Sequence, residues 1–160
     1  MTGLNPIEQL AGIMAMSGFP HSSGMRIVAA EPGKVSLALS RRPELTQFFG
    51  HFHGGVIAGL ADQAAGAAVT TALPRGRIAV TVEIKINFLG PADGEEIIAR
   101  AEAMQVGGTI GVAKVEVISQ EKGGRTHLRV RHRDHARGRF TSRVPMTADC
   151  PELWLGLITK

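Results

Sequence analysis

Apolar residues follow a helical period in two parts of this 160-residue chain and alternate with polar ones in several others. Ile7, Leu10, Ile13 and Met14 recur at helical spacing up to Gly18. Asn5 before Pro6 is a start signal for that helix, a capping side chain followed by proline where no amide is needed. Segments 25–31 (MRIVAAE) and 34–40 (KVSLALS), the latter alternating at Val35, Leu37 and Leu39, predict a hairpin about Pro32 and Gly33. Residues 41–50 read as a loop. From Gly54 to Leu73 the chain carries seven alanines and then stops at Pro74 and Gly76, which predicts one long helix. Three alternating blocks follow, 78–89, 95–106 and 109–119, separated by the turns GPADG and GG. Residues 125–132 (RTHLRVRH) offer a last strand with Leu128 and Val130 facing inward. Beyond 134 the pattern fails, and Leu153, Trp154, Leu155 and Leu157 have no assigned place.

Helix, hairpin, long helix and a run of antiparallel strands make an α+β fold. The long helix is small-residue rich all round, so a curved antiparallel sheet can wrap closely around it. The length suits one domain with a real core. We place that domain at 1–134 and treat 135–160 as an atypical C-terminal extension.

Charge changes the picture in one place. The net charge is +4, but residues 122–143 hold eight of the 18 Lys and Arg with a single acid, Asp134. The rest of the chain keeps ten cations against 13 acids, a net of −3. The basic character is therefore local. It can be a solvated strand and tail, a patch for nucleic acid or for the phosphates of a smaller ligand, or an unselected tail such as a shifted reading frame produces. Only Phe140 interrupts it as an aromatic, which argues against nucleic acid. With one cysteine, Cys150, no internal disulfide can form, as suits a reducing compartment. The first residues lack a basic stretch and include Glu8, unlike a secretion signal. No apolar run approaches the ~20 residues of a membrane span. These features predict a cytoplasmic protein with no membrane or nucleic-acid partner.

The chemistry concentrates in 51–69, HFHGGVIAGLADQAAGAAV. Asp62 lies on one helix face with Ala58, Gly59, Ala65 and Gly66, none of which can pair with it. Small neighbours leave room for a substrate or another backbone beside an acid kept partly dry, and drying raises a carboxylate's pKa. The plainer reading is a buried helix acid satisfied by a neighbouring hydroxyl or a partner subunit. Gly54 and Gly55 begin the helix, where free amides and the positive dipole end can bind a developing oxyanion. They can equally be a tight loop-to-helix turn. His51 and His53 with Asp62 lack a fourth ligand, so no metal is expected. Gly54 and Asp62 are eight residues apart, about 12 Å along a helix. One reacting carbon cannot lie ~3 Å from both. An antiparallel copy of the helix brings one chain's Gly54 opposite the other's Asp62, so the spacing predicts a site shared across a homodimer.

The pieces HGGVIAGLAD (53–62) and VTVEIKINFLGPADGE (80–95) together resemble the hotdog-fold thioesterases of the PaaI-like, phenylacetate-pathway type, which hydrolyse acyl-CoA thioesters. The likeness runs from about residue 35 to about 120. It implies a hotdog fold and acyl-CoA hydrolysis with no cofactor. It also implies homo-oligomers, either a dimer with shared sites or a dimer of dimers. By that resemblance Gly54 and Gly55 supply the amide that polarises the thioester carbonyl, and His53 completes their motif. Asp62 is the nucleophile or the base for water. Gln47, where many members have Asn, positions the water or the carbonyl, and Thr81 sits near the acid. Gly108 and Thr109 fall in the turn that contacts CoA, where many members carry Gly-Arg-Thr or Gly-Lys-Thr; here Gly108 replaces the cation. A non-catalytic hotdog protein that binds acyl-CoA is the alternative this departure raises. A hotdog dehydratase is not supported, because His53 follows "HF" where that family has proline.

Overall fold

The computed structural model describes residues 5–121 and 153–159. Asn5 caps the first helix, α1 (Pro6–Ala15), by accepting from the amides of Ile7 and Glu8, while Glu8 accepts from the Asn5 amide. This reciprocal box satisfies donors that the helix cannot satisfy internally. A short helix that the periodicity did not show, α2 (Phe19–Ser23), follows. Strands β1 (Arg26–Glu31) and β2 (Lys34–Ser40) form the predicted hairpin. The loop after them contains a single 3-10 turn, Pro43–Leu45.

The long helix α3 (Gly54–Ala72) is continuous. It ends because Leu73 precedes Pro74, whose ring disfavours helical backbone in the residue before it; Leu73 is extended at φ −82°, ψ 158°. β3 (Ala79–Lys85), β4 (Glu96–Val106) and β5 (Ile110–Gln120) match the three alternating blocks. A further strand, β6 (Leu153–Thr159), completes one antiparallel sheet in the order β1-β2-β4-β5-β6-β3. Register shifts at Val28, Val82 and Met104 bulge β1, β3 and β4 and bend the sheet. The chain adopts the expected α+β hotdog architecture, with α3 against the inner face of the curved sheet.

Small residues set the helix-to-sheet spacing. Leu60, Ala61, Ala64, Ala65, Ala68 and Val69 of α3 are buried in one core with Leu37, Leu39, Ile97, Ala99, Ala113 and Val115 of β2, β4 and β5. Contact is close at Gly111, where a Cβ would fall 2.8 Å from a methyl of Val69. Leu10 and Met14 of α1 close the same core.

The end of the chain departs from the sequence reading. The strand expected at 125–132 lies outside the described residues. Leu153–Thr159 instead runs between β5 and β3 and pairs with both. The boundary drawn at 134 therefore leaves out a strand of the sheet. Periodicity missed it because LWLGLIT is nearly all apolar and follows a polar stretch, so neither alternation nor a hairpin turn marks it. Cutting the chain after Asp134 is expected to strip β3 and β5 of their shared partner and leave two backbone edges open. The truncated protein should melt at least ~10 °C below the full chain, or aggregate; this loses more than the few kcal/mol that such a shift reflects at this size. Equal melting temperatures in a thermal denaturation comparison would show that β6 is dispensable.

Candidate active site

The site is built on the loop that enters α3, on α3 itself and on β3. The loop is braced at several points. Arg41 Nη1 donates to the Asp93 carbonyl at 2.8 Å, and Arg42 Nη2 donates to the carbonyls of Ser22 and Ser23 in α2. Leu45 and Phe52 are buried beneath it. Thr46 and Phe52 form an isolated antiparallel bridge, and the Gly50 amide donates to the Gln47 carbonyl to close the tip. Gly50 takes φ +81°, a left-handed conformation that favours glycine. Phe48 and Phe49 project from this tip with ring centroids 4.3 Å apart, both exposed.

His53 is the N-cap of α3. Its Nδ1 accepts from the Gly55 amide at 3.0 Å, which leaves the proton of a neutral ring on Nε2. Its carbonyl accepts from the amides of Val56 and Ile57. The two predicted glycine donors are thus not equivalent. The Gly55 amide is spent on the cap, and the Gly54 amide is the first-turn donor with no partner among the described residues. The expectation that both glycines offer free amides is corrected accordingly. A side chain at Gly55 would bring its Cβ within 3.1 Å of His53 Nδ1, so this glycine serves the cap.

Asp62 is half-buried, two turns further along α3. Thr81 Oγ1 on β3 donates to Asp62 Oδ1 at 2.5 Å. The other carboxylate oxygen, Oδ2, has no partner among the described residues. The structure therefore joins Asp62 to Thr81, two residues 19 apart in sequence, and leaves one oxygen of the acid available. Gln47 does not meet them within the chain: its Oε1 accepts from the Phe49 amide at 2.9 Å inside its own turn. That leaves Nε2 as the group of Gln47 that can donate. Gly108 lies in the β4–β5 turn, closed by the Gly107 amide on the Ile110 carbonyl, and Thr109 is exposed there. Arg77 Nη2 donates to the Gly108 carbonyl at 2.8 Å, so a cation from the α3–β3 loop lies at the turn that lacks one in sequence. Among the described residues no three His, Cys, Asp or Glu side chains gather as metal ligands would, and no helix is long and apolar enough to cross a membrane.

Three of the small residues beside Asp62 differ in their surroundings. Ala65 is in the core. Gly59 lies under the ring of Phe19 from α2. Gly66 has nothing among the described residues within 4 Å of the position a Cβ would take. The opening beside the acid is thus at Gly66, while its other flank is covered by a residue that sequence reasoning passed over. Pro20 after Gly18 is the signal that would have shown a second helix there.

The sequence profile of the thioesterase superfamily matches residues 49–125. An esterase-named protein of Halobacterium salinarum is 36% identical over 127 residues, spanning 74% of this chain and 83% of that protein. Human acyl-coenzyme A thioesterase 13 is 32% identical over 98 residues, spanning 61% of this chain and 69% of that protein. Among solved structures, the Escherichia coli PaaI protein from the phenylacetic acid degradation operon aligns with a TM-score of 0.65 at 17% identity, covering 96% of this chain and 90% of that one.

Proposed function

This chain belongs to the thioesterase superfamily, and on that premise we propose that it hydrolyses an acyl-CoA thioester with Asp62 as the attacking or water-activating group. The observation that carries this reading is the Asp62–Thr81 hydrogen bond: a half-buried carboxylate is held by one oxygen while the other stays open. A thioester hydrolase needs such a carboxylate and a preorganised donor for the developing oxyanion. The unpartnered Gly54 amide at the positive end of a 19-residue helix is that donor. Gln47 supplies Nε2 to the water or the carbonyl, and His53 keeps the loop in place by capping. Gly108 and Thr109, with Arg77 behind them, face the CoA. The human relative's name supports acyl-CoA as the substrate class.

A homodimer with two shared sites follows from the same residues. Because α3 is unbroken from Gly54 to Asp62, about 12 Å separates the donor from the acid within one chain. A partner is needed to bring them to one carbon. β3 supports this: it is an edge strand whose only partner among the described residues is β6, and Val80, Val82 and Ile84 on it are exposed. An exposed apolar edge is a surface on which a second chain can pair.

Thiol release from short, medium and aryl acyl-CoAs tests the activity directly. Turnover on at least one is expected. Binding without turnover on any would establish the non-catalytic acyl-CoA-binding alternative. Thr81→Val keeps the shape and strand preference of the side chain but removes the hydroxyl. A hydrogen bond to a charged group contributes about 1.5–3 kcal/mol, so kcat should fall about 10-fold or more with KM within about threefold. An unchanged kcat would remove Thr81 from the site.

A further inference from the structure

Phe19 lies outside the segment matched by the superfamily profile, yet it touches the helix one turn before the candidate catalytic acid. A Cβ on Gly59 would fall 2.6 and 2.9 Å from two of its ring carbons, so the ring occupies the space a side chain at 59 would take. It is 50% exposed. Gly59 and Asp62 are three residues apart on neighbouring positions of one helix surface. α2 holds the ring in place: Ser23 Oγ donates to the Phe19 carbonyl at 2.6 Å, and Arg42 ties the end of α2 to the loop that carries Gln47. Gln63, next to Asp62, donates to Met14 of α1 at 3.5 Å, so both N-terminal helices flank the same stretch of α3.

A thioester placed at Asp62 extends in two directions along this surface. Toward Gly66 nothing among the described residues fills the surface, and a bulky polar CoA can leave there. Toward Gly59 it runs into an aromatic wall suited to an apolar tail. We propose that Phe19 is the specificity-determining wall of the acyl pocket and limits the acyl group that can reach Asp62. This rests on Asp62 being the catalytic acid of an acyl-CoA hydrolase. The wall belongs to the N-terminal helices, so it can vary while the matched catalytic segment is kept.

The test compares kcat/KM for dodecanoyl-CoA and butanoyl-CoA in the wild type, Phe19→Ala and Phe19→Leu, with thermal melting of each. Removing the ring opens space worth several methylenes, so the dodecanoyl-to-butanoyl ratio should rise at least about tenfold in Phe19→Ala and by an intermediate factor in Phe19→Leu. A ratio within about twofold of wild type, or an equal loss on both substrates, would overturn the proposal by showing a structural role only. If the alanine variant does not fold, the leucine variant decides. If the wild type cleaves neither substrate and none of the aryl acyl-CoAs, the hydrolase reading fails separately. Calorimetric binding of the non-hydrolysable S-dodecyl and S-butyl thioethers of CoA then tests the wall: a shifted affinity ratio in the variants supports it, and an unchanged ratio or no binding of either overturns it.

Discussion

Asp62→Asn is expected to lower kcat at least ~100-fold while acyl-CoA binding persists. The amide has the carboxylate's shape, and its oxygen can still accept from Thr81 Oγ1, so the packing around residue 62 and the join to β3 should survive. What is lost is the second oxygen, the one without a partner, replaced by an NH₂ that neither attacks a carbonyl nor takes a proton from water. Half-burial of the side chain limits how far bulk water can substitute for it. Single-turnover and steady-state kinetics on the best substrate, with a binding measurement on the variant, check this. Near-normal turnover would remove Asp62 from the mechanism and with it the basis of the proposed function.

The second prediction asks whether one site draws on two chains. Gly54 is the first helical residue after the His53 cap, and proline is well tolerated at that position because its fixed φ suits the helix and the missing amide has no helical partner. His53, at φ −66°, ψ 138°, already has the backbone that a following proline requires. Among the described residues a Cβ at 54 meets only the Phe88 ring, at 3.4 Å. Gly54→Pro therefore deletes the unpartnered donor while keeping α3. Homodimers of Gly54→Pro and of Asp62→Asn should each be nearly inactive. After unfolding, equal mixing and refolding, about half the dimers are mixed. In each of these one site collects both defects and the other collects neither, so roughly a quarter of wild-type activity should return. Melting curves confirm that the proline variant folds. If it folds and mixing restores nothing, donor and acid act within one chain, and the dimer reading falls.

The local elements were legible because local rules govern them. α1 starts where Asn5 and Pro6 say it should, the hairpin turns on Pro32 and Gly33, and α3 stops before Pro74. Asp62 stood out because a charge among alanines and glycines needs a partner or a task, and HGG marked the helix start that accompanies it. Gln47 illustrates the limit. Its type and spacing fit a role in the site, but its carbonyl oxygen is taken up within its own turn, and only coordinates reveal which atom remains.

The amino-acid sequence by itself determined the periods, caps and breakers, and so the order of elements from α1 to β5 apart from α2, the unbroken length of α3 and the single acid on it. These depend on neighbours within a few residues. Tertiary structure alone decided which distant groups meet. Thr81 reaches Asp62 because β3 returns to the edge of the sheet beside α3, and Phe19 covers Gly59 because α2 is tied to the loop by Arg42. It decided that Gly55 caps while Gly54 stays open, since that depends on where the His53 ring points. It also placed Leu153–Thr159 between β5 and β3, a position set by two backbone ladders to strands more than 30 residues away in the chain, with no trace in any local pattern.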